Sequence, residues 1–150
     1  MENKEGLIWY NGDFIDWKDA KLHVLTHGLH YASSVFEGER SYSGRIFKLH
    51  EHTERLFFSA SELDFDIPYS IEEIKNACYS TLEKNNLVDA YIRPIAWRGA
   101  ETVGVSAQDT KIHCAIAVWE WPSYFSPEDK LKGIRLTLSS WRRPSPDTIP

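Results

Sequence analysis

Sulfur is scarce in this chain, which carries two cysteines and one methionine in 150 residues. Cys78 and Cys114 stand apart, with no CxxC or metal-ligand spacing, so neither a disulfide framework nor a thiolate site is expected. Basic residues are also short: 17 Lys and Arg face 22 Asp and Glu, a formal net charge of −5. That balance argues against a binder of nucleic-acid backbones, which needs a basic surface. No apolar run is long enough for a membrane-spanning helix. The first six residues, MENKEG, lack the apolar core of a secretory leader, and a cytoplasmic location is the expectation. There are no repeats or low-complexity tracts. No glycine-rich phosphate loop of Walker or Rossmann type occurs. The six histidines show no metal-ligand spacing, and no Ser-His-Asp set stands out.

What is present fits one domain with a sizeable core. Aromatics are abundant, with 6 Trp, 7 Tyr and 7 Phe, and imply either a large aromatic core or an apolar pocket and interface. Asn11-Gly12, between residues 7–10 and 13–16, is a strong hairpin signal. Ser43-Gly44 marks a second hairpin between strands at 35–42 and 45–48. From Leu49 the period becomes helical, placing Leu49, Leu56, Phe57, Ala60 and Leu63 on one side. Ser70-Ile71-Glu72-Glu73 is a capping box that opens a second helix with Ile71, Ile74, Cys78 and Leu82 inward, ending near Asn85-Asn86. Strand character returns at 90–97, where Pro94 demands a bulge or an edge, and again at 113–121 and 133–143. Clustered hairpins and helices without βαβ alternation indicate an α+β architecture.

The densest stretch is LHYASSVFEGER, from Leu29 to Arg40. A glycine in a strand, here Gly38, marks a bulge or a close approach by a ligand or another backbone. The pattern resembles the N-terminal signature of the branched-chain aminotransferases, class IV enzymes that use pyridoxal phosphate. The resemblance runs through Trp9-Tyr10-Asn11-Gly12, Asp19 to Val24, Glu51 to Leu56, Ala90-Tyr91-Ile92-Arg93-Pro94, Ser139 to Arg143 and Asp147 to Pro150. It implies a small N-terminal domain at 1–121, an antiparallel sheet packed with two helices. An interdomain linker at 122–132 and the first strand of a large domain at 133–150 would follow. It also implies a homo-oligomer formed through the small domain, acting on amino acids and 2-oxo acids, with no nucleic acid, membrane or metal involved.

Site residues follow position by position. Arg55 is, by spacing alone, a solvated helix arginine. Its HxxRL context resembles the segment whose arginine holds the cofactor phosphate, a task suited to a planar guanidinium. Strand alternation puts Tyr91 and Arg93 on one face. A cross-strand ion pair is the ordinary reading of Arg93. The resemblance implies instead Tyr91 near the substrate α-carboxylate and Arg93 at the side-chain carboxylate of glutamate. Phe36, Trp121 and Tyr124 are implied as pocket walls, and Tyr31 and Val105 as residues that reach the neighbouring subunit's site. For each aromatic, plain core packing is the alternative. Arg40 either lines the site or pairs with Glu37 or Glu39, and the structural pairing is the expectation. Glu39 occupies a position often apolar in the family, and a local ion pair is the expectation for it. The stretch 97–101 also departs from the family and is a candidate for shifting substrate preference.

Transamination needs a reactive lysine. In the family it follows the segment matched by Asp147-Thr148-Ile149-Pro150, so no catalytic residue falls within these 150. The expectation is an N-terminal fragment, inactive alone and not binding the pyridoxal phosphate that the full-length enzyme carries. Such an enzyme would move the amino group of leucine, isoleucine or valine to 2-oxoglutarate. The alternatives are a D-amino-acid aminotransferase or aminodeoxychorismate lyase of the same class, or a non-catalytic binding or oligomerisation module.

Overall fold

The structure, a computed structural model, describes residues 4–122, 125–145 and 147–148. It divides into two compact units, Met1–Glu120 and Trp121–Pro150. The first unit opens with strands β1 (Leu7–Tyr10) and β2 (Asp13–Asp16), then a short 3-10 turn (Trp17–Asp19). Helix α1 (His27–Tyr31) precedes strands β3 (Ser34–Phe36), β4 (Glu39–Tyr42) and β5 (Arg45–Ile46). Helices α2 (Leu49–Glu62) and α3 (Ile71–Lys84) lead to the long strands β6 (Ala90–Arg98) and β7 (Ile112–Trp119). All strands join one antiparallel sheet in the order β2-β1-β7-β6-β4-β5, with β3 also on β6.

Both expected hairpin turns form, because each supplies two residues that accept positive φ. Asn11 and Gly12 sit at φ 51° and 100°, and Ser43 and Gly44 at 50° and 76°. This pair of left-handed residues matches the twist of the flanking strands. Helix α3 starts at the capping box: Glu73 N donates to Ser70 Oγ at 3.2 Å, and Ser70 N donates to Glu73 Oε2 at 2.7 Å.

The sheet has two unlike faces. Even-numbered residues of β6 and β7 (Ala90, Ile92, Ala96, Cys114, Ile116, Val118) pack with Leu56, Ala60, Ile74, Cys78 and Leu82 of the two helices in one core. Odd-numbered residues turn to the opposite face, where Trp97 and Ala115 join Ile8, and Tyr10, Ile15, Ile95 and Ala117 pack around them. No helix of that core covers this second face.

Three expectations change. The strand foreseen at 35–42 is two strands, broken at Glu37-Gly38. A Cβ on Gly38 would collide with the Tyr91 hydroxyl and lie 3.1 Å from Tyr91 Cζ. The missing side chain of Gly38 leaves room for that ring. Pro94 is neither on an edge nor in a bulged strand. It lies mid-β6, where its carbonyl accepts from Glu37 N at 3.0 Å. Its missing N–H faces the break between β3 and β4, where no ladder bond is lost. Ahead of β3, α1 closes on Ala32 in the left-handed region at φ 55°.

The strand foreseen at 133–143 is absent among the described residues of the second unit. Backbone groups make a strand only against a partner strand, and none pairs with them there. That unit instead contains α4 (Pro127–Lys132), started by Ser126, whose Oγ accepts from Asp129 N at 3.1 Å.

Candidate functional site

The sheet face opposite α2 and α3 carries the first group of candidate residues. Tyr91 and Arg93 are both on it, two apart on β6, and Phe36 joins them because it pairs with Ile95. Arg93 Nη2 donates to the Tyr91 hydroxyl at 2.7 Å. The Arg93 guanidinium lies 4.2 Å from the centre of the Phe36 ring, a cation–π contact. Tyr91 in turn packs its ring 4.9 Å from that of Trp119. The cross-strand ion pair expected of an ordinary strand arginine does not form, since Arg93 meets no carboxylate among the described residues. Its Nε is buried and has no hydrogen-bond partner. A buried donor left unpaired costs about 1–3 kcal/mol.

Arg55 belongs to a different cluster. From α2 it grips Glu37 with two parallel bonds, Nε to Oε1 at 2.6 Å and Nη2 to Oε2 at 2.7 Å. His52, one turn earlier, lies with Nδ1 2.8 Å from the same Oε2. A carboxylate only accepts, so His52 Nδ1 carries the hydrogen. Burial pushes the Glu37 carboxyl up, but the bonds from Arg55 and His52 outweigh it and hold it below the usual carboxylate range. The cluster is anchored from inside: the Glu37 side chain is 5% exposed and that of Arg55 63%. Arg55 is thus neither the freely solvated arginine of its spacing nor unsupported.

The expected pairing of Arg40 with Glu37 or Glu39 is not seen. Glu37 goes to the helix, while the Arg40 guanidinium lies 5.8 Å from the centre of the Tyr42 ring. Glu39 makes no ion pair among the described residues either. Its register with Ile92 turns it toward the helices, where it is 1% exposed and neither carboxyl oxygen has a hydrogen-bond partner. Burial first, and the nearby Glu37 charge second, push its carboxyl up to about 8.

A third group forms around His27. The Tyr31 ring stacks 4.5 Å from the His27 ring, and the Val105 carbonyl is 3.4 Å from His27 Nε2. His27 Nδ1 and Ser33 Oγ are 2.6 Å apart. Val105 rides on the loop between β6 and β7, which Arg98 ties down through the carbonyls of Ala107, at 2.9 Å, and Asp64. Tyr31 and Val105 are largely exposed and line one open pocket. The structure therefore gathers Tyr31 with Val105, and Phe36 with Tyr91 and Arg93, as separate groups. Trp121 lies half-buried in the second unit, and Tyr124 lies outside the described residues.

Two features escaped the sequence. Glu101, His113 and Asn11 form a chain in which Cys114 N donates to Asn11 Oδ1 at 2.8 Å. Asn11 Nδ2 then donates to His113 Nδ1 at 2.8 Å, and His113 Nε2 to Glu101 Oε1 at 2.7 Å. This fixes the imidazole tautomer and ties the stretch 97–101 to the first hairpin. The second is an apolar cavity of about 220 Å³ between α1 and the sheet face opposite α2 and α3, lined by Tyr10, Leu29, Ile95, Trp97 and Ala117 among others. No group of three or more potential metal ligands occurs among the described residues, and no helix there is long and apolar enough to cross a membrane.

The chain matches the amino-transferase class IV family over residues 34–150. It is 44% identical over 147 residues to a branched-chain-amino-acid aminotransferase of Pseudomonas aeruginosa, covering 95% of this chain and 48% of that protein. The corresponding Escherichia coli enzyme is 41% identical, with 98% of this chain and 49% of that protein covered. Among solved structures, a T.th. branched-chain amino acid aminotransferase with pyridoxamine 5'-phosphate superposes with a TM-score of 0.89 at 41% identity. That match covers 98% of this chain and 50% of the other. The chain thus spans about half the length of the curated relatives it matches. The antiparallel sheet with helices on one face is the fold shared with these structures.

Proposed function

The chain belongs to the class IV aminotransferases, and from that premise we propose that it forms the small-domain part of a branched-chain amino acid aminotransferase. The reaction is transfer of the amino group of leucine, isoleucine or valine to 2-oxoglutarate. The observation that carries this reading is the Tyr91–Arg93 pair, bonded at 2.7 Å beside Phe36 on the sheet face opposite α2 and α3. One pocket must take both an apolar side chain and the carboxylate of glutamate. Phe36 offers apolar surface, and the Arg93 guanidinium beside it offers a cation for the acid. Tyr91 lies beside the α-carboxylate and Arg93 receives the distal one.

The donors on α2 fit a phosphate-bearing cofactor. Glu37 takes Nε and one N–H of Nη2, so Arg55 keeps Nη1 and the outer N–H of Nη2 as two parallel donors suited to phosphate oxygens. Arg55 is accordingly the residue that would hold the phosphate of pyridoxal phosphate. When bound, that group supplies the electron sink on which amino transfer depends. This chain's residues bind and orient: Arg55 at the phosphate, Tyr91 and Arg93 at the carboxylates, Phe36, Trp121 and Tyr124 as walls. Tyr31 and Val105, gathered apart from Tyr91 and Arg93, reach the site of a neighbouring subunit in a homo-oligomer. Residues 122–132 link this domain to a larger one beginning at 133, and the enzyme works in the cytoplasm. None of the lysines in the 150 residues holds the reactive position, so these residues alone neither bind the cofactor nor transaminate.

Substrate profiling of the product of the whole reading frame tests the reading. Turnover of L-leucine with 2-oxoglutarate and none of D-alanine is expected. A preference for D-alanine assigns the chain to the D-amino-acid branch of the class instead.

A further inference from the structure

Glu37 has no part in the reading above beyond touching Arg55, yet its geometry is that of a support. It is the buried end of a cluster whose other end is exposed: side-chain exposure is 5% at Glu37, 21% at His52 and 63% at Arg55. Its two oxygens take three donors, from Arg55 Nε, Arg55 Nη2 and His52 Nδ1, at 2.6, 2.7 and 2.8 Å. Two parallel bonds fix both the position and the plane of a guanidinium, which a single contact does not. Arg55 and His52 also approach each other, Nη2 to Nδ1 at 3.3 Å. Both nitrogens carry hydrogens, so this contact is convergence on one carboxylate and not a bond between them.

We propose that Glu37, seated by His52, is the positioning residue that aims the outer edge of the Arg55 guanidinium at an anionic group. This rests on reading Arg55 as the residue that holds the cofactor phosphate. Two opposed effects make the idea decidable. The Glu37 charge partly cancels that of Arg55, which by itself weakens attraction for a phosphate. Its bidentate grip holds the donors in place, which strengthens a directional bond. Positioning predicts that the second effect is the larger.

The test compares binding of pyridoxal 5'-phosphate with binding of pyridoxal, by absorbance titration of the product of the whole reading frame. The ratio of the two dissociation constants isolates what the phosphate contributes. Glu37→Gln keeps the shape and removes the charge. The proposal expects the phosphate advantage to fall about tenfold, the worth of one charge-assisted hydrogen bond, with pyridoxal binding unmoved. An advantage that rises or holds steady overturns it, because the acid would then only have masked the charge of Arg55. Arg55→Gln is the companion variant and is expected to abolish the advantage. If the advantage survives there, the phosphate reading itself fails, separately from the positioning claim. A wild-type measurement needs no variant: the Arg55 Nε–H should exchange with solvent at least about tenfold more slowly than that of exposed Arg45. Equal exchange overturns the grip on which the proposal stands.

Discussion

Gly38 and Tyr91 interlock, and the fit matters more than the glycine's flexibility. The backbone at Gly38 needs no positive φ; what it needs is the missing Cβ, whose place lies 3.1 Å from Tyr91 Cζ and closer still to the hydroxyl. Gly38→Ala must push the ring off Gly38 and disturb the 2.7 Å bond from Arg93. Under the proposed function, KM for leucine and for 2-oxoglutarate should both rise several-fold in steady-state assays, while the melting temperature shifts little. Glu39 makes a prediction about stability. Its folded carboxyl is raised from the ordinary 4.5 to about 8, so the folded state holds a proton that the unfolded chain releases. The stability this contributes is complete below about pH 4.5 and is lost as pH rises toward about 8. At about 1.4 kcal/mol per pH unit between those limits, the loss amounts to a few kcal/mol. Glu39→Gln should flatten this slope in denaturant titrations over the same range, and an unchanged slope would show the acid to be solvated.

At the scale of elements, α3 depends on its capping box. Ser70→Ala removes the acceptor for Glu73 N and should lower unfolding free energy by about 1 kcal/mol, measured by urea titration. That helix was legible because its start signal is local, as were both hairpins, whose turn residues declare positive φ. The break between β3 and β4 was not legible, because its cause is a ring 53 positions away in sequence, from Gly38 to Tyr91. The Arg55–Glu37 pair hid for a related reason. Alternation puts Glu37 on the helix-facing side with Val35 and Glu39, but it does not say which helix residue lies opposite. Alternation did give the shared face of Tyr91 and Arg93, since a continuous strand keeps its period. The strand foreseen at 133–143 does not form among the described residues, because an alternating pattern supplies a face but not a pairing partner.

For the whole molecule, the second unit exposes large apolar side chains at Leu131, Leu136, Leu138 and Trp141. Contiguous exposed apolar groups favour association. The 150 residues by themselves should therefore self-associate, and light scattering at high concentration should show species larger than one chain. They should also give no transamination above free pyridoxal phosphate with leucine and 2-oxoglutarate. Turnover from the isolated chain would contradict the placement of the reactive lysine outside it.

Under the proposed function, Arg93 serves the distal carboxylate of 2-oxoglutarate and not the side chain of leucine. Single-turnover rates with the product of the whole reading frame separate the two halves of the reaction. Arg93→Met should lower kcat/KM for 2-oxoglutarate about tenfold or more, as expected when a charge-assisted bond is removed, while leaving the leucine half-reaction nearly unchanged. An equal loss in both halves, or none in either, would contradict the account.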